Sequence, residues 1–268
     1  MRIDLHLHTS CSDGSWEPVA VAAEVARRRL VAWSITDHDT CAAWPQIRDC
    51  PGAICGVEVS TRFEGRDVHI LGLGVDPEAA ELAELLRHNR AERRSKVNRI
   101  VAHLQQAHGL SIALDQHDDT VVTRSHVAQR LYADGIVPDF RAAFERYLGD
   151  GALDALEPAD FASVADAAAA IRSAGGVALL AHPALCGGID VIERLASGLD
   201  GIELKHPSHA STLVDMLETL AKKRNWLVSS GSDCHQPPGR IGAYRLSRGQ
   251  VMPLLQRVGW RDPVFESG

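Results

Sequence analysis

The amino-terminal segment contains residues whose types and spacing suit metal binding. Ile3–Gly14 reads IDLHLHTSCSDG and alternates apolar and polar residues as a β-strand does. Residues two apart on a strand point to the same side, so His6 and His8 can bind one metal ion from the same face. Asp13 follows after a short turn and can supply a carboxylate ligand. A metal site on the first strand needs further ligands from later strands.

Further histidines and carboxylates lie at or just past the segments that we predict as buried strands. The nine candidate ligands are His6, His8, Asp13, His38, Glu58, His69, His182, Asp233 and His235. A single histidine after a strand is more often a hydrogen-bonded surface residue than a ligand. Nine such residues at one rim would be costly to desolvate without a shared partner, which metal ions would provide. In α/β barrels this rim is where active sites are assembled.

The elements that would position these ligands follow an α/β pattern. The predicted strands after the first are Leu30–Thr36, Ala53–Ser60, Asp67–Gly74, Val177–His182, Gly201–Lys205 and Trp226–Ser232. The predicted helices between them are Val19–Arg29, which Pro18 begins, Ser163–Ser173 and Leu213–Arg224. We therefore expect an α/β barrel of seven parallel, buried strands.

The pattern changes between residues 76 and 162, where no segment resembles a buried strand. A long helical pattern runs from Pro77 through His108, and Thr123–Asp134 and Pro138–Leu148 are predicted as further helices. We expect a barrel domain made of residues 1–75 and 163–268, and a helical insertion subdomain made of residues 76–162.

Composition and charge exclude several classes of protein. No apolar run approaches the about 20 residues of a membrane span, and the amino terminus does not resemble a signal peptide. The six cysteines have no metal-binding spacing and are too sparse for a disulfide framework, so we expect a reduced, cytoplasmic protein. A net charge of −7 argues against binding to long duplex DNA but allows a small phosphorylated substrate.

The order of these motifs resembles that of a known family. DLHLHTSCSDG, TDHD, GVEVS, VHILGLG, AHP and GSDCH look like the successive motifs of the PHP (polymerase and histidinol phosphatase) family of metal-dependent phosphoesterases. TRSHVAQRL and FERYL in the insertion are similar to its TrpH-like branch of 3′,5′-nucleoside-bisphosphate phosphatases and 5′–3′ oligoribonucleotide exonucleases. The resemblance covers nearly the whole chain and implies a distorted seven-stranded β/α barrel with up to three divalent ions.

The resemblance also implies how the ligands are divided among the ions. One ion would take His6, His8, Glu58 and Asp233, a second would take Glu58, His69 and His182, and a third would take Asp13, His38 and His235. Mixed imidazole and carboxylate ligands suit Mn²⁺ first, and also Fe²⁺ or Zn²⁺, whereas Mg²⁺ and Ca²⁺ prefer oxygen. Asp37 is expected to orient an imidazole rather than to bind metal.

Such a site is suited to the hydrolysis of phosphate esters. Three divalent ions and three carboxylates leave about three positive charges, which attract a phosphate dianion. We expect direct attack by a metal-bound hydroxide, without a serine or cysteine nucleophile. A histidine near the open side could protonate the leaving oxygen, and the candidates are His126, His206 and His209.

The insertion offers candidate substrate-binding residues. Arg90 and Arg94 share a basic helix face, which is either a solvated surface or a clamp for a second phosphate. Arg124, Ser125 and His126 lie at a predicted helix start, where backbone N–H groups already favour anions. We expect the second group to bind substrate phosphate.

Two segments depart from the branch pattern. Gly149–Glu157 lacks the Lys and the Tyr of the usual Gly-Lys-x-Gly-Tyr-Val run, and Ala184 and Leu185 replace the usual Gly-Arg after AHP. These differences leave the metal ligands intact and bear on substrate identity.

The leading hypothesis is a phosphoric ester hydrolase. It would remove the 3′-phosphate of nucleoside 3′,5′-bisphosphates and also trim short 5′-phosphorylated oligoribonucleotides. One alternative is a histidinol-phosphate phosphatase, against which the basic insertion argues. Another is a non-catalytic, metal-stabilised interaction module, against which the complete ligand set argues. An amidohydrolase would share the barrel and the HxH motif, but the additional carboxylate and histidines favour phosphate.

Overall fold

Seven β-strands form the framework of the molecule. The structure is a computed structural model that describes residues 1–114, 120–153, 155–237 and 239–261. The strands are β1 (Ile3–Leu7), β2 (Ala32–Ile35), β3 (Gly56–Phe63), β4 (Arg66–Leu73), β5 (Val177–Leu180), β6 (Gly201–Lys205) and β7 (Leu227–Ser230). Each overlaps a segment that the sequence predicts as a strand.

These strands are divided between two sheets. β1 and β2 form a parallel pair, and β3 to β7 form a five-stranded sheet in chain order. Isolated bridges connect the sheets on both sides, one between Leu7 and Cys234 and another between His38 and Glu58. The α/β class is confirmed, whereas a continuous barrel of seven strands is not.

The expectation that all seven strands are parallel is wrong. β4 runs antiparallel to both of its neighbours, β3 and β5, whereas β5, β6 and β7 are mutually parallel. The cause is the two-residue connection between β3 and β4, in which Glu64 and Gly65 have φ angles of 47° and 80°. Two successive positive φ angles are typical of a type I′ hairpin turn, whereas a parallel connection needs a crossover of a dozen or more residues.

Helices cover the sheets and form most of the insertion. The α-helices are α1 (Pro18–Arg27), α2 (Trp44–Ile47), α3 (Ala80–His108), α4 (Arg124–Ala133), α5 (Phe140–Ala143), α6 (Asp150–Leu153), α7 (Val164–Ser173), α8 (Ile189–Ala196), α9 (Ser211–Arg224) and α10 (Arg248–Arg257). A π-helical turn spans Phe144–Leu148, and a 3₁₀ turn spans Pro183–Leu185. The helices α2, α6, α8 and α10 are not among those that the sequence predicts.

The long helix α3 belongs to two hydrophobic cores. Its residues Leu82 and Leu86 pack into the core that the five-stranded sheet shares with α7 to α10. Farther along, Val97, Ile100 and Leu104 pack with α4 and α5 in a second cluster. The described part of residues 76–162 contains no strand. This helix therefore connects the insertion to the sheet that carries the candidate ligands.

In the portions of the chain that the structure covers, no helix is both long enough and apolar enough to span a membrane. Residues 262–268, at the end of the predicted barrel domain, lie outside the described residues.

Candidate metal centre

Glu58 lies at the centre of a cluster of imidazoles. Its side chain is 1% exposed. Oε2 is 3.4 Å from Nε2 of His6, 3.2 Å from Nε2 of His8 and 3.0 Å from Nδ1 of His38, and Oε1 is 3.0 Å from Nδ1 of His69 and 2.8 Å from Nε2 of His182. One carboxylate thus contacts five histidines from different parts of the chain.

The β3–β4 hairpin explains how Glu58 and His69 come together. The sequence places both at strand ends, but they lie within their strands. In the antiparallel register Glu58 pairs with Leu71, and Ser60 pairs with His69. Glu58 and Ser60 are two apart and share a face, so His69 is a diagonal neighbour of Glu58 on that face.

Two aspartates, Asp13 and Asp233, complete the cluster and bring His235 into it. Asp233 Oδ1 lies 3.4 Å from Nε2 of His6 and 3.1 Å from Nε2 of His8. Asp13 Oδ1 lies 3.2 Å from Nε2 of His235 and 3.9 Å from Nε2 of His38. The structure therefore brings all nine sequence-predicted ligands into one continuous cluster.

Several polar atoms in the cluster have no hydrogen-bond partner despite complete burial. They are Nε2 of His6, Nε2 of His8, Nδ1 of His38, Nδ1 of His182 and Oε2 of Glu58. A buried polar atom without a partner is costly, and several at one point require an explanation. Divalent ions would satisfy such donor atoms, so the residues present fit a metal centre.

Within the described parts of the chain, the potential ligand atoms form four close groups. Within each group the atoms lie no more than 4.8 Å apart. The groups are His8, Asp13, His38 and His235; His6, His8 and Glu58; His38, Glu58 and His69; and His6, Glu203 and His206. Because neighbouring groups share members, the arrangement suits adjacent ions with common ligands.

Charge coupling within the cluster is strong. Burial opposes ionisation of Glu58, but the His38, His69 and His6 side chains outweigh it and hold the pKa of Glu58 well below its usual range. Burial likewise disfavours protonation of His8, but the Asp233 and Glu58 carboxylates beside it outweigh burial and raise its pKa to about 10. The raised pKa values of His6 and His8 therefore favour protonation of these two imidazoles beside the buried carboxylates.

Glu203 is a member of the site that the sequence analysis does not identify. It lies on β6, is fully buried, and places Oε1 3.2 Å from Nδ1 of His6. Its Oε2 accepts a hydrogen bond of 2.8 Å from the backbone N–H of His182. Carboxylates of this kind fix the orientation of metal-binding imidazoles. The available signal is a charged residue inside the apolar segment GIELK.

Asp37 holds the loop that follows β1. Its carboxylate accepts hydrogen bonds from the Thr9 N–H at 2.7 Å, the Thr9 hydroxyl at 2.6 Å and the Ser12 hydroxyl at 2.6 Å. The Ser12 Oγ also lies 3.5 Å from Nδ1 of His8. Asp37 therefore reaches the His8 imidazole through Ser12.

Asp39 connects the loops that carry candidate ligands to the insertion, and no role for it is predicted from the sequence. Its buried carboxylate accepts hydrogen bonds from the Ser60 N–H at 2.9 Å, from Asn89 Nδ2 at 2.8 Å and from Arg93 Nε at 2.5 Å. Arg90 Nη1 donates to the Asp39 carbonyl at 3.0 Å. Arg90, a predicted substrate-binding residue, is thus in contact with the protein backbone.

The three candidate proton donors have different surroundings. Nε2 of His206 is 3.2 Å from Oδ2 of Asp233, and Nδ1 of His206 accepts a hydrogen bond of 3.1 Å from the Ser208 N–H. His209 uses Nδ1 to contact the Leu204 carbonyl at 3.0 Å. His126 accepts from the Thr123 N–H at 3.1 Å as part of the cap of α4, and burial lowers its pKa. Of the three, His206 is in direct contact with the ligand cluster.

A cavity of about 420 Å³ opens over the cluster, and we call it the main cavity. Its lining includes Asp13, His38, His69 and His182 of the cluster. From the insertion it includes Arg93, Lys96, Thr123, Arg124, Ser125, Phe144 and Phe161. Of the predicted substrate-binding residues, Arg124 and Ser125 line this cavity. Arg90 and Arg94 are not among the described residues that line it.

The departure from the branch pattern after AHP also lies at this cavity. Leu185 ends the 3₁₀ turn that follows His182, and its N–H donates to the His182 carbonyl at 2.9 Å. Its side chain lines the cavity and is 68% exposed. An apolar group therefore stands where the branch usually has an arginine.

Curated relatives match nearly the whole chain. A 3′,5′-nucleoside bisphosphate phosphatase from Chromobacterium violaceum is 33% identical, over 97% of this chain and 96% of its own length. A 5′-3′ exoribonuclease from Haemophilus influenzae is 32% identical, over 99% of this chain and 98% of its own length. No model of a protein family matches the chain.

Solved structures resemble the chain over a similar extent. A metal-dependent phosphoesterase from Bifidobacterium adolescentis has a TM-score of 0.83 at 26% identity and covers 98% of this chain and 97% of its own. A Chromobacterium violaceum protein described as an amidohydrolase, with bound sulfate and no metal, has a TM-score of 0.86 at 31% identity, with coverages of 97% and 96%. The ligand cluster, the fold and these relatives together show that the chain belongs to the PHP family of metal-dependent phosphoesterases.

Proposed function

We propose that this enzyme removes the 3′-phosphate from nucleoside 3′,5′-bisphosphates and also releases the first nucleotide of short 5′-phosphorylated oligoribonucleotides. The observation that carries the proposal is the shared cavity, which members of the ligand cluster line together with Lys96, Arg124 and Ser125. A substrate with two phosphates can place one at the ligand cluster and the other at Lys96, Arg124 and Ser125. The names of the relatives from Chromobacterium and Haemophilus support the same two substrates.

The two reactions break the same kind of bond. In a bisphosphate, water adds to the 3′-phosphorus and the bond from phosphorus to O3′ breaks, which leaves a nucleoside 5′-phosphate and inorganic phosphate. In an oligonucleotide the same bond of the first diester breaks, and the phosphate remains on the shortened chain. One site can therefore perform both reactions, provided that it accommodates a further nucleotide on the scissile phosphate.

The ligand cluster would hold two to three divalent ions, with Mn²⁺ preferred and Fe²⁺ or Zn²⁺ as alternatives. The proposed sets are His6, His8, Glu58 and Asp233; Glu58, His69 and His182; and Asp13, His38 and His235. Bound ions would supply an acidified water molecule and would polarise the phosphoryl oxygens. Glu203 contacts His6 directly and keeps its imidazole in place. Asp37 acts on the imidazole of His8 through Ser12.

Residues of the main cavity bind the rest of the substrate. Arg124 and Lys96 attract the 5′-phosphate, and Ser125 contributes a hydroxyl at the amino-terminal end of α4. The buried Phe161 ring lies beneath the Arg93 guanidinium, 5.7 Å from the ring centroid, and so helps to hold this cation at the cavity wall. His206 holds a proton at the cluster and transfers it to O3′ as that oxygen leaves.

The proposal extends to domain organisation and location. Residues 1–75 and 163–268 form the phosphoesterase domain, and residues 76–162 form a helical subdomain that recognises the substrate. All six cysteines are free, which agrees with a reducing, cytoplasmic environment.

The test uses two substrates and one substitution. For Arg124→Ala in the Mn²⁺-loaded enzyme, we expect KM for adenosine 3′,5′-bisphosphate to rise about tenfold, because a charge-assisted contact to the second phosphate is lost. KM for p-nitrophenyl phosphate, which has no second phosphate, should change less than twofold. Equal effects on both substrates, or no release of phosphate from the bisphosphate by the unaltered enzyme, would contradict the proposal.

A further inference from the structure

A second cavity continues from the main cavity along the surface. It has a volume of about 610 Å³, and we call it the side groove. The two cavities share lining residues, among them Lys96, Arg124 and Leu185. The groove is therefore continuous with the candidate active site, and Leu185 lies at the passage between them.

The side groove is rich in positive charge. Arg62 and Arg66 from the β3–β4 hairpin, together with Lys96 and Arg124, line it alongside the carboxylates of Asp67 and Glu157. Lys96 contacts Asp67, and Arg62 lies 3.7 Å from the same carboxylate. The lining thus has more cations than anions in a protein whose net charge is −7. This local excess suits a polyanion that extends from the active site.

Arg66 is the residue of the groove that is best suited to bind an additional phosphate. It is exposed at the start of β4, and it forms no ion pair with any other described residue that the structure shows. Its Nη1 lies 3.6 Å from the position that a Cβ on Gly187 would occupy. Gly187 follows the 3₁₀ turn that contains Leu185, so the guanidinium lies beyond the passage from the ligand cluster.

We propose that the side groove binds the nucleotides downstream of the scissile phosphate, with Arg66 contacting the phosphate backbone. The inference rests on the proposed function and deepens it, because it makes short oligoribonucleotides substrates of this enzyme. The phosphate at the cluster carries the remainder of the chain, which leaves past Leu185 toward Arg66. No aromatic side chain lines the groove among the described residues, so binding there is electrostatic and independent of base sequence.

The discriminating variant is Arg66→Glu. An exposed side chain at the start of a strand can be reversed in charge without loss of packing. We expect kcat/KM for a 5′-phosphorylated ribouridine trinucleotide to fall about tenfold, and kcat/KM for adenosine 3′,5′-bisphosphate to change less than twofold. Arg48→Glu is the matched control with the same change of charge, because Arg48 is exposed and lines neither cavity. It should affect neither substrate.

A binding measurement separates this inference from the proposed function. The probe is a labelled 5′-phosphorylated trinucleotide with phosphorothioate linkages, which resist hydrolysis, added to the Mn²⁺-loaded enzyme. Arg66→Glu should weaken binding and reduce the slope of log K against log salt by about 0.7, the value for one phosphate of a single strand. Unchanged binding, or equal losses of kcat/KM on both substrates, would overturn the inference. Failure to hydrolyse any phosphate ester would refute the proposed function, and the binding result would still decide the role of the groove.

Discussion

At the scale of single residues, the centre depends on buried carboxylates that bring imidazoles together. The histidines and the aspartates of the cluster could be predicted because their motifs stand out at the ends of apolar segments. Glu203 and Asp39 were missed for a physical reason, since each acts through hydrogen bonds that only the folded chain creates. A charged residue within a buried strand, such as Glu203 in GIELK, is the signal that could have identified one of them.

Glu58 should be the least replaceable ligand. Glu58→Gln retains the shape of the side chain but removes the charge that five imidazoles contact. We expect kcat/KM to fall more than about 100-fold, together with loss of bound metal. Substitution of a residue that only orients a metal ligand costs about 10- to 100-fold, and loss of a ligand itself should cost more. Steady-state kinetics and metal analysis of the same sample provide the measurement. Glu84→Gln, on the exposed side of α3, is the control and should behave like the unaltered enzyme.

Glu203 should act by positioning His6. For Glu203→Gln we expect Mn²⁺ affinity to fall about 10- to 100-fold, since partners of this type contribute that much to metal binding. Calorimetric titration with Mn²⁺ measures this affinity directly. Glu193→Gln, which removes a surface pair with Arg224, should leave it unchanged. An unaltered affinity in Glu203→Gln would show that the carboxylate is not needed to orient the imidazole.

At the scale of elements, the reversed strand β4 is the feature that the sequence analysis interpreted incorrectly. The count of strands was right because apolar runs mark buried strands in either direction. Their direction depends on the connections, and the turn at Glu64 and Gly65 is short enough to permit only a hairpin. The reversal has a functional consequence, because it places His69 beside Glu58 from the middle of a strand.

The contact between α3 and the loop after β2 should matter for stability. Arg93 and Asp39 form a buried ion pair that joins the insertion to the segment following His38. Arg93→Gln should lower the free energy of unfolding by about 3 kcal/mol, because it leaves a buried carboxylate without its cation. Denaturant unfolding monitored by circular dichroism measures the change. Arg87→Gln, which disrupts only an exposed pair on the same helix, should unfold like the parent protein.

At the scale of the whole molecule, binding of metal and stability of the fold should be coupled. The ligands come from both sheets and from the loops after β1, β2, β5 and β7, so ions would join segments that are distant in the chain. An ion that binds only the folded protein stabilises it by mass action. We expect Mn²⁺ at about 100 times its dissociation constant to raise the melting temperature by about 5–10 °C. Differential scanning calorimetry with and without chelator tests this, and Glu58→Gln should show a much smaller rise.

The overall charge illustrates what composition can predict and what it cannot. The net charge of −7 predicts weak binding to long duplex DNA. It does not reveal that Arg62, Arg66, Lys96 and Arg124 gather beside the ligand cluster, because this depends on packing of the insertion against the hairpin. Substrate recognition is therefore a property of the assembled fold.

The central claim is that the cluster around Glu58 binds divalent ions and that these ions are required for hydrolysis of phosphate esters. The most direct measurement determines bound metal and the rate of phosphate release from adenosine 3′,5′-bisphosphate in one preparation, before chelation, after chelation and after addition of Mn²⁺. We predict two to three ions per chain, loss of activity on chelation and recovery with Mn²⁺. Full activity in the metal-free protein would contradict the requirement for metal.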